Sequence, residues 1–390
     1  MREPWALADM PNPFSSAAGT CGFALASKGS RSSRCDVAKC CLRVAVVGGG
    51  LAGLSVADRL CKLGVEELVL FDPNPIGEGN ASAVAAGLLH KFTPRGKKAF
   101  MADEAFQRSQ ELISESAPNS IIYHGALFRA AVTEKQEKDY IKASQLTPDS
   151  ELILLRGDEV QCSVPQSPAR MGLLIRNAFV IDTKTYMKEL WNKCVITGAA
   201  SHRLERIKRP ANLFDSGFDS VVIAAGYQSD DLVPQHMNMQ RKQGRNVIFR
   251  KRCSGSVFNI PMVSGKYLVP QRDNDLLAGA TVEAVDPEVK KRSIAETLEA
   301  LGTRIFELYP DLEEHYEPAS VTSGVRGIPI RPPGRAPLPY LSNPSPHLWL
   351  VAGLASRGIL HHALLADLLT NALVSNDPNL LPKELQSGVD

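Results

Sequence analysis

Residues 42–72 read LRVAVVGGGLAGLSVADRLCKLGVEELVLFD, and this stretch decides the fold of the chain. The apolar run 42–47 predicts a buried strand, and the glycines after it lead into a helical pattern over residues 51–63. We expect the helix to end at Gly64, a typical C-cap, before a second buried strand at 68–71. The stretch therefore predicts a strand–helix–strand unit.

Three glycines and one acid in this stretch indicate a dinucleotide site. Gly48, Gly50 and Gly53 follow the pattern G-x-G-x-x-G, and Asp72 stands about 20 residues further on, at the end of the second strand. Gly48 permits the tight turn, Gly50 lets a pyrophosphate approach the backbone, and Gly53 lets the helix lie close to the strand. The four features are in register, which predicts dinucleotide binding.

The start of the helix completes this site. Backbone N–H groups at Leu51 and Ala52 would face the diphosphate, because the first turn of a helix has unpaired donors and a partial positive charge. Asp72 would accept hydrogen bonds from an adenosine ribose. NAD and FAD both use this fingerprint, so these residues alone leave the choice between them open.

Composition and charge exclude several classes of protein. Of the 390 residues, 44% are hydrophobic and 22% charged, which excludes a wholly disordered or fibrous chain. No apolar run approaches the roughly 20 residues that a membrane helix needs, so we expect no membrane span. The net charge is only +2, which argues against nucleic acid as the main partner. None of the eight cysteines forms a C-x-x-C pair, so no metal site is predicted.

Further strands and helices follow along the chain, with no internal repeat or long linker, so we expect interleaved domains. The predicted elements are a helix opening in 80–89, an amphipathic helix at 100–118, short strands over 120–180, a strand at 218–224, a hairpin of 267–269 with 276–280, a helix at 293–308, a strand at 348–351 and a last helix at 358–374.

A set of segments in one order resembles the glycine/D-amino-acid oxidase family of flavoproteins. The segments are VAVVGGGLAGLSVADRL…LVLFD, NASAVAAGLLH, FDSVVIAAG, YLVPQRDNDLLAGATVE, TSGVRGIPI and LVAGLASRGILHHALLADLL, and they cover about 42–375. Two stretches, ASAVAAGLLHKFTPRG and GLASRGIL, are also similar to the oxidoreductase domain of bacterial enzymes that modify the wobble uridine of tRNA. The resemblance implies FAD as the cofactor.

What the resemblance implies for the fold is an α/β architecture. A Rossmann-like FAD-binding domain would be interleaved with an α+β substrate domain built on an antiparallel sheet. The implied boundaries are a leader at 1–41, FAD-binding segments at 42–98, 177–235 and 319–375, substrate-domain segments at 99–176 and 236–318, and a C-terminal tail at 376–390.

The resemblance also implies a second set of FAD-binding residues. A small-residue segment would line the pyrophosphate and flavin edge, a glycine would close a second nucleotide-facing strand, and the last helix would point its N-terminus at the flavin pyrimidine ring. We expect FAD to be bound non-covalently, because no histidine or cysteine stands where covalent members attach it. The implied residues are Ser82, Ala86, Gly87, Gly226, Gly353, Gly358 and Ile359.

The implied substrate site contains three residues. Arg326 falls where glycine and D-amino-acid oxidases carry the arginine that pairs with the substrate carboxylate, a task that suits the guanidinium fork. Tyr267 falls where the family has an assisting hydroxyl, and Arg357 precedes the last helix near the reacting face of the flavin. His361 and His362 are expected to pack near the flavin rather than act as bases, because the family's reaction is described as hydride transfer to flavin N5.

The implied activity is oxidation of the C–N bond of a small amine, most simply an amino acid or N-substituted glycine, followed by hydrolysis of the imine. The electron acceptor, oxygen or another, stays open, because residues 276–279 (LLAG) have no lysine where sarcosine oxidases place one that activates oxygen. Two alternatives remain. One is tRNA wobble-uridine maturation, suggested by a basic stretch within 241–252, and the other is a flavin-binding protein without turnover.

The first forty residues have the composition of a targeting sequence. Residues 14–41 are rich in Ser and Ala, contain Lys and Arg, and hold one acid, Asp36. This composition is typical of an organelle transit peptide, and a plastid is favoured over a mitochondrion because no basic amphipathic helix is evident. A disordered extension without an address is the alternative.

A fusion of residues 1–41 to a fluorescent protein is expected to enter plastids in plant cells, where the unfused fluorescent protein stays cytosolic. Deleting the same residues should leave the flavin content and melting temperature of the chain unchanged, because no core-forming pattern lies there. Cytosolic fluorescence of the fusion would contradict the predicted destination.

Overall fold

The computed structural model describes residues 40–148, 150–252, 258–285, 292–330 and 337–386. Apart from its last two positions, the leader predicted as a transit peptide lies outside the described residues, as do residues 387–390 of the predicted tail.

Sixteen strands and ten α-helices are formed by the described residues. The strands are β1 (Cys40–Val47), β2 (Val65–Phe71), β3 (Leu88–Leu89), β4 (Ile121–Ala130), β5 (Leu152–Arg156), β6 (Met171–Ile181), β7 (Ala200–Arg203), β8 (Ser220–Ile223), β9 (Met239–Lys251), β10 (Met262–Ser264), β11 (Lys266–Pro270), β12 (Leu276–Gly279), β13 (Glu283–Ala284), β14 (Tyr316–Pro329), β15 (Tyr340–Ser345) and β16 (Leu348–Ala352). The helices are α1 (Leu51–Lys62), α2 (Ala102–Ser116), α3 (Glu134–Leu146), α4 (Asp158–Ser163), α5 (Thr183–Ile196), α6 (Ala211–Asp215), α7 (Ile294–Leu301), α8 (Arg304–Leu308), α9 (Leu312–His315) and α10 (Gly358–Ser375).

A six-stranded sheet contains the predicted strand–helix–strand unit. Its order is β15-β16-β8-β1-β2-β7, and β1 pairs in parallel with both β2 and β8. The central strand is apolar on both faces, with Val44, Ala45 and Val46 fully buried, as expected for a parallel sheet covered on both sides. The predicted unit is therefore confirmed, with α1 connecting its two strands.

The second sheet has ten strands and is mostly antiparallel. Its path runs β13-β9-β12-β11-β10-β4-β6-β3, while β14 pairs with β9 and β5 with β6. The predicted hairpin is confirmed: β11 and β12 are antiparallel, with Tyr267 opposite Gly279 and a short turn at Arg272–Asn274. Strands of the two sheets alternate along the chain, so each sheet is assembled from distant stretches of sequence.

Helix α10 is, within the described residues, the one helix long and apolar enough to cross a membrane by length and composition. No apolar run of this length was expected from the sequence. Two-thirds of it is buried, since it packs against α1 and α2. Its one charged residue, Asp367, is paired with Arg59 of α1 at 3.3 Å and with Arg108 of α2 at 2.7 Å. Its apolar character is that of a core helix.

The prediction that a helix opens within residues 80–89 is wrong. The segment forms a single helical turn at Ser82–Val84 and then the short strand β3. Gly87 lies so close to β6 that a Cβ built on it would stand 2.0 Å from the carbonyl oxygen of Ile181. Tertiary pairing with β6 therefore overrides the helical tendency of the small residues, because a continued helix would have no room there.

Two other regions differ from the helices and strands that the sequence predicted. Residues 120–180 contain α3 and α4 as well as strands, and α3 begins at a Thr133 side chain that accepts the Gln136 N–H at 3.3 Å. The single helix predicted over 293–308 is divided into α7 and α8, because Gly302 adopts φ +67°, a left-handed conformation that ends a helix.

We expect Gly53→Ala to destabilise the fold by about 1–3 kcal/mol. A Cβ on Gly53 would stand 1.9 Å from the Gly48 carbonyl oxygen, a backbone atom that cannot move without moving the turn. The matched control is Gly358→Ala, also in the first turn of a helix, where a Cβ meets nothing within 4 Å. Urea unfolding measures both variants, and an unchanged midpoint for Gly53→Ala would show that this close approach is not needed.

Candidate functional site

A cavity of about 720 Å³ lies between the two sheets. One side is formed by the carboxyl ends of β1, β2, β8 and β16, the edge where open parallel sheets bind ligands. The other side is formed by one face of the ten-stranded sheet. Its volume is within the range of cofactor and small-molecule pockets.

The structure brings nearly all predicted site residues to this one cavity. Gly53 is the exception, since it does not line the cavity but packs α1 against the turn at Gly48. The residues that line it are Gly48, Gly50, Leu51, Ala52, Asp72, Ser82, Ala86, Gly87, Gly226, Tyr267, Arg326, Gly353, Arg357, Gly358 and Ile359.

The glycine-rich turn has the shape that a diphosphate needs. Gly48 adopts φ +114°, and a Cβ on it would stand 2.4 Å from the carbonyl oxygen of Ala224 at the end of β8. Helix α1 begins at Gly50 without a side-chain cap, and the Leu51 N–H reaches only the Ser82 hydroxyl at 3.2 Å. The helix therefore presents its positive end and its N–H groups to the cavity.

Asp72 connects the end of β2 to this turn. Its carboxylate accepts the Gly49 N–H at 2.7 Å and the Asn74 N–H at 2.8 Å, with the Asn74 side-chain amide at 3.2 Å. The side chain is only 8% exposed. An ionised carboxylate has about four lone-pair sites, so these three bonds leave capacity for a ribose hydroxyl. Binding of the ribose by Asp72 stays a prediction. The structure adds a second role, since the same carboxylate anchors the glycine-rich turn.

The N-terminus of α10 faces the same cavity from the end of β16. The helix begins at Arg357 without a side-chain cap and has no acid in its first turn. Gly358 and Ile359 line the cavity there, so the partial positive charge of the helix N-terminus faces the cavity. By contrast, α5 and α7 have their first turns capped by the side chains of Asp182 and Ser293. These features fit the predicted contact with the flavin pyrimidine ring.

On the sheet side of the cavity, Tyr267 is held by a residue that the sequence analysis missed. The Tyr267 hydroxyl donates to Asn246 Oδ1 at 2.7 Å, and Asn246 Nδ2 donates to the Val84 carbonyl at 2.9 Å. Burial raises the pKa of Tyr267 to about 12, so its hydroxyl keeps its proton at neutral pH. Asn246 is the one polar residue opening the apolar run 246–249 (NVIF), the only signal in the sequence that marks it.

Arg326 contributes a positive charge to the cavity. It lies on β14 opposite Lys242 of β9, and a Cβ on Gly244 would stand 3.3 Å from its guanidinium nitrogen. Among the described residues no acid lies within 4 Å of the Arg326 side chain. Its charge attracts the phenolate form of Tyr267, although burial dominates the pKa of that tyrosine.

The part-buried Arg357 is accompanied by a fully buried arginine, Arg129, which was not predicted from the sequence. Arg357 donates to the Phe92 carbonyl at 3.2 Å, and burial, with repulsion from Arg129, lowers its pKa to about 10. Both arginines line the cavity with His90. Burial, followed by these two charges, holds the pKa of His90 well below its usual range, so its ring is neutral.

The histidines at the start of α10 pack as expected. His361 and His362 are buried and do not line the cavity, and His361 Nε2 bonds to the Phe100 carbonyl at 2.9 Å. Burial lowers the pKa of His361 and takes that of His362 to about 3. Neither ring is therefore placed to remove a proton from a molecule in the cavity.

Half of the basic residues within 241–252 are paired with acids of the same fold, among them Arg252 with Glu317 at 3.5 Å. Arg241 pairs with Asp231 at 2.6 Å, and the buried Arg245 pairs with Glu283. Charges that are already paired give little attraction to a phosphate backbone. In the described part of the chain, no cluster of His, Cys, Asp or Glu could hold a metal ion.

Comparison with known proteins places the whole body of the chain in one family. A family model described as FAD dependent oxidoreductase (DAO) matches residues 43–372. A glycine oxidase of Pseudomonas putida is 28% identical over 366 residues, which are 87% of this chain and 96% of that protein. The tRNA 5-methylaminomethyl-2-thiouridine biosynthesis bifunctional protein MnmC of a Caulobacter species is 25% identical, and the match covers 89% of this chain and 57% of that relative. The chain thus spans about half the length of the MnmC relatives.

Solved structures share the fold at lower identity. Glycine oxidase from Geobacillus kaustophilus superposes with a TM-score of 0.73 at 22% identity, covering 89% of this chain and 98% of the other. Iminodiacetate oxidase from Chelativorans sp. BNC1 superposes with a TM-score of 0.67 at 17% identity, covering 88% and 99%. The α/β fold class predicted from the sequence is confirmed, and FAD is the cofactor that the cavity fits.

Replacing the carboxylate in Asp72→Ala should weaken FAD retention, because the ribose would lose a charged acceptor and the Gly49 turn its anchor. A hydrogen bond to a charged group contributes about 1.5–3 kcal/mol, or about 10- to 150-fold in Kd. The control is Asp219→Ala: Asp219 also accepts a backbone N–H, from Arg43 at 2.8 Å, but on the protein surface. FAD titration of the apoprotein measures both, and equal FAD affinity of wild type and Asp72→Ala would refute the assignment.

Proposed function

This chain belongs to the DAO family of FAD-dependent oxidoreductases, and on that basis we propose that it oxidises the carbon–nitrogen bond of a small amino acid or N-substituted glycine. The observation that carries the proposal is Arg326, an arginine without an acidic partner among the described residues, beside Tyr267 in the FAD cavity. The names of the similar glycine oxidase and iminodiacetate oxidase support a substrate of this kind.

Arg326 binds the substrate carboxylate. Its planar fork meets both carboxylate oxygens at once, which fixes the orientation of the substrate as well as its position. The room for this contact is provided by Gly244, since any side chain there would press on the guanidinium. A carboxylate in this place would also neutralise a charge that the described residues leave unpaired.

Tyr267 assists as a hydrogen-bond donor. Its pKa of about 12 keeps the phenol neutral, so it does not repel an anionic substrate. The Asn246 amide accepts from its hydroxyl at 2.7 Å in the free protein, and this bond fixes the ring next to the site. A carboxylate could take over the same proton without movement of the ring, because a hydroxyl rotates freely.

When bound, FAD supplies the two-electron acceptor for the hydride on the carbon next to the nitrogen. Arg326 and Tyr267 hold that carbon in place, and His90 is a poor base: burial lowers its pKa, and its Nδ1 accepts the Phe92 N–H at 3.1 Å. The substrate nitrogen loses its own proton to solvent, and water then hydrolyses the imine to a carbonyl and an amine. Oxygen or another acceptor would then take the two electrons from the flavin.

The tRNA alternative has less support than a small-molecule substrate. Although the chain resembles part of MnmC, three of the six basic residues in the stretch that suggested RNA binding are paired with acids of the same fold. The alternative of a flavin-binding protein without turnover is decided by the experiment below, since it predicts that no amine bleaches the flavin.

Two substitutions test the role of Arg326. Arg326→Lys keeps the charge but loses the fork, so both substrate affinity and the rate of flavin reduction should fall. Arg326→Ala should cost on the order of 2–5 kcal/mol, or roughly thirty-fold to several thousand-fold in kcat/KM. FAD binding should survive both changes. Anaerobic stopped-flow bleaching of the flavin band by amino acids and N-alkyl glycines measures the effect.

The matched control is Lys242→Ala, which removes a positive charge from the position opposite Arg326 on β9 but outside the cavity. Its rate of flavin reduction should equal that of the wild type. Loss of FAD from either Arg326 variant, or flavin reduction by the best carboxylate substrate at the wild-type rate, would mean that Arg326 is structural. Faster reduction by amines without a carboxylate would discard the amino-acid substrate and keep the enzyme class.

A further inference from the structure

The cavity contains more positive charge than one substrate carboxylate requires. Its three acidic side chains, Asp72, Glu205 and Asp231, belong to the ends and turns of the six-stranded sheet, where the nucleotide half of FAD would lie. Arg129 and Arg326 of the ten-stranded sheet, and Arg357 at the N-terminus of α10, also line the cavity, and within the described residues no acid lies within 4 Å of any of them.

Arg129 is the most deeply buried of the three arginines. Its side chain is 5% exposed, and its Nε is buried without a hydrogen-bond partner. The group that stabilises the charged form of Arg129 is a neutral one, the hydroxyl of Tyr140. Burying a guanidinium is costly unless an anion compensates it, so an arginine in this state marks a place where an anion binds.

Arg357 shares this environment with Arg129. Each is desolvated, and the repulsion between them contributes to the lowered pKa of Arg357. His90, which is influenced by both charges, stays neutral and adds none of its own. The buried Arg129 and the part-buried Arg357 therefore form a cationic site without an acidic partner among the described residues, a site that suits one carboxylate.

The register of the ten-stranded sheet separates this pair from Arg326. Tyr267 of β11 pairs with Val263 of β10, and Val263 pairs with Arg129 of β4, so the three side chains are on one face in a single row. Adjacent strands are about 4.8 Å apart, which puts the backbones at Tyr267 and Arg129 about 10 Å from each other. Arg326 acts on Tyr267, at the other end of this row.

We propose that the substrate is a small amine carrying two carboxylates, one held by Arg326 with Tyr267 and the other by Arg129 with Arg357. This proposal rests on the function proposed above and narrows its substrate class. In such a compound the amine lies between the two anions. A substrate with one carboxylate would leave one of the two cationic groups uncompensated.

The reaction balances with bound FAD as the oxidant. The carbon next to the nitrogen gives up a hydride, and the nitrogen gives up a proton. One water then adds to the imine and breaks the C–N bond. With iminodiacetate the products are glyoxylate and glycine. Arg129 is thus a specificity-determining residue, since it meets the part of the substrate that does not react.

The experiment compares pairs of compounds that differ by one carboxylate. Iminodiacetate and sarcosine are the oxidisable pair, since both are N-substituted glycines. Glutarate and butyrate are their isosteres without nitrogen and cannot be oxidised. With the FAD-loaded enzyme, anaerobic flavin reduction by the first pair and perturbation of the flavin absorption band by the second pair are measured. We expect at least a tenfold preference for the dicarboxylate in each pair.

The variant Arg129→Gln should lower both preference ratios by at least tenfold, because it removes the charge that meets the second carboxylate. Arg129→Lys, a second variant in case the first fails to fold, keeps the charge without the fork and should lower both ratios to a smaller extent. The proposal would be overturned if the wild type preferred sarcosine and butyrate to the dicarboxylates. It would also be overturned if the Arg129 substitutions left the preference ratios unchanged. Loss of FAD from both Arg129 variants would overturn it as well, because that result would assign this arginine to the cofactor.

The two proposals fail in different ways. If sarcosine and glycine bleach the flavin at least as well as iminodiacetate, the amine oxidase function stands and the two-carboxylate substrate is wrong. If no amine bleaches the flavin but glutarate binds at least tenfold more tightly than butyrate, the two-anion site stands and the proposed oxidation is wrong.

Discussion

The contact of α1 with the turn that precedes it is the constraint on which the site depends. A Cβ on Gly53 would stand 1.9 Å from the Gly48 carbonyl oxygen, so only glycine allows the helix to start this close to β1. The carboxylate of Asp72 fixes the same turn from β2 through the Gly49 N–H. These contacts aim the helix N-terminus into the cavity, where its N–H groups can meet a diphosphate without a compensating side chain.

The cavity is also lined by positively charged side chains that lie away from the glycine-rich turn. The ten-stranded sheet presents Arg129 and Arg326 to the cavity, and the N-terminus of α10 adds further positive charge next to Arg357. Buried positive charge without a counter-ion destabilises the free protein and is recovered when an anion binds. The arrangement therefore relates stability to the proposed function, because Arg129, whose burial is costly to the fold, is a residue that we propose to bind a carboxylate.

Local sequence predicted those elements whose pattern and end signals agree. The strand–helix–strand unit, the hairpin around β11 and β12, and the last helix are all present, because apolar period, glycine caps and turn residues point the same way in each. The predictions failed where a distant contact decides. Residues 80–89 have the small residues of a helix, but pairing of β3 with β6 and the backbone of Ile181 leave no room beyond Val84.

By itself, the sequence identified the dinucleotide fingerprint and, through its resemblance to a known family, the cofactor and a set of residues that line the cavity, because short local motifs carry this chemistry. Tertiary structure alone decided which charges are compensated. Arg245 and Arg129 are both buried arginines of the same sheet, but Arg245 meets Glu283 and Arg129 meets no acid among the described residues. That difference depends on which distant strand lies alongside, and Asn246 is hidden in the sequence for the same reason. Pairing between strands far apart in the chain cannot be read from either segment alone.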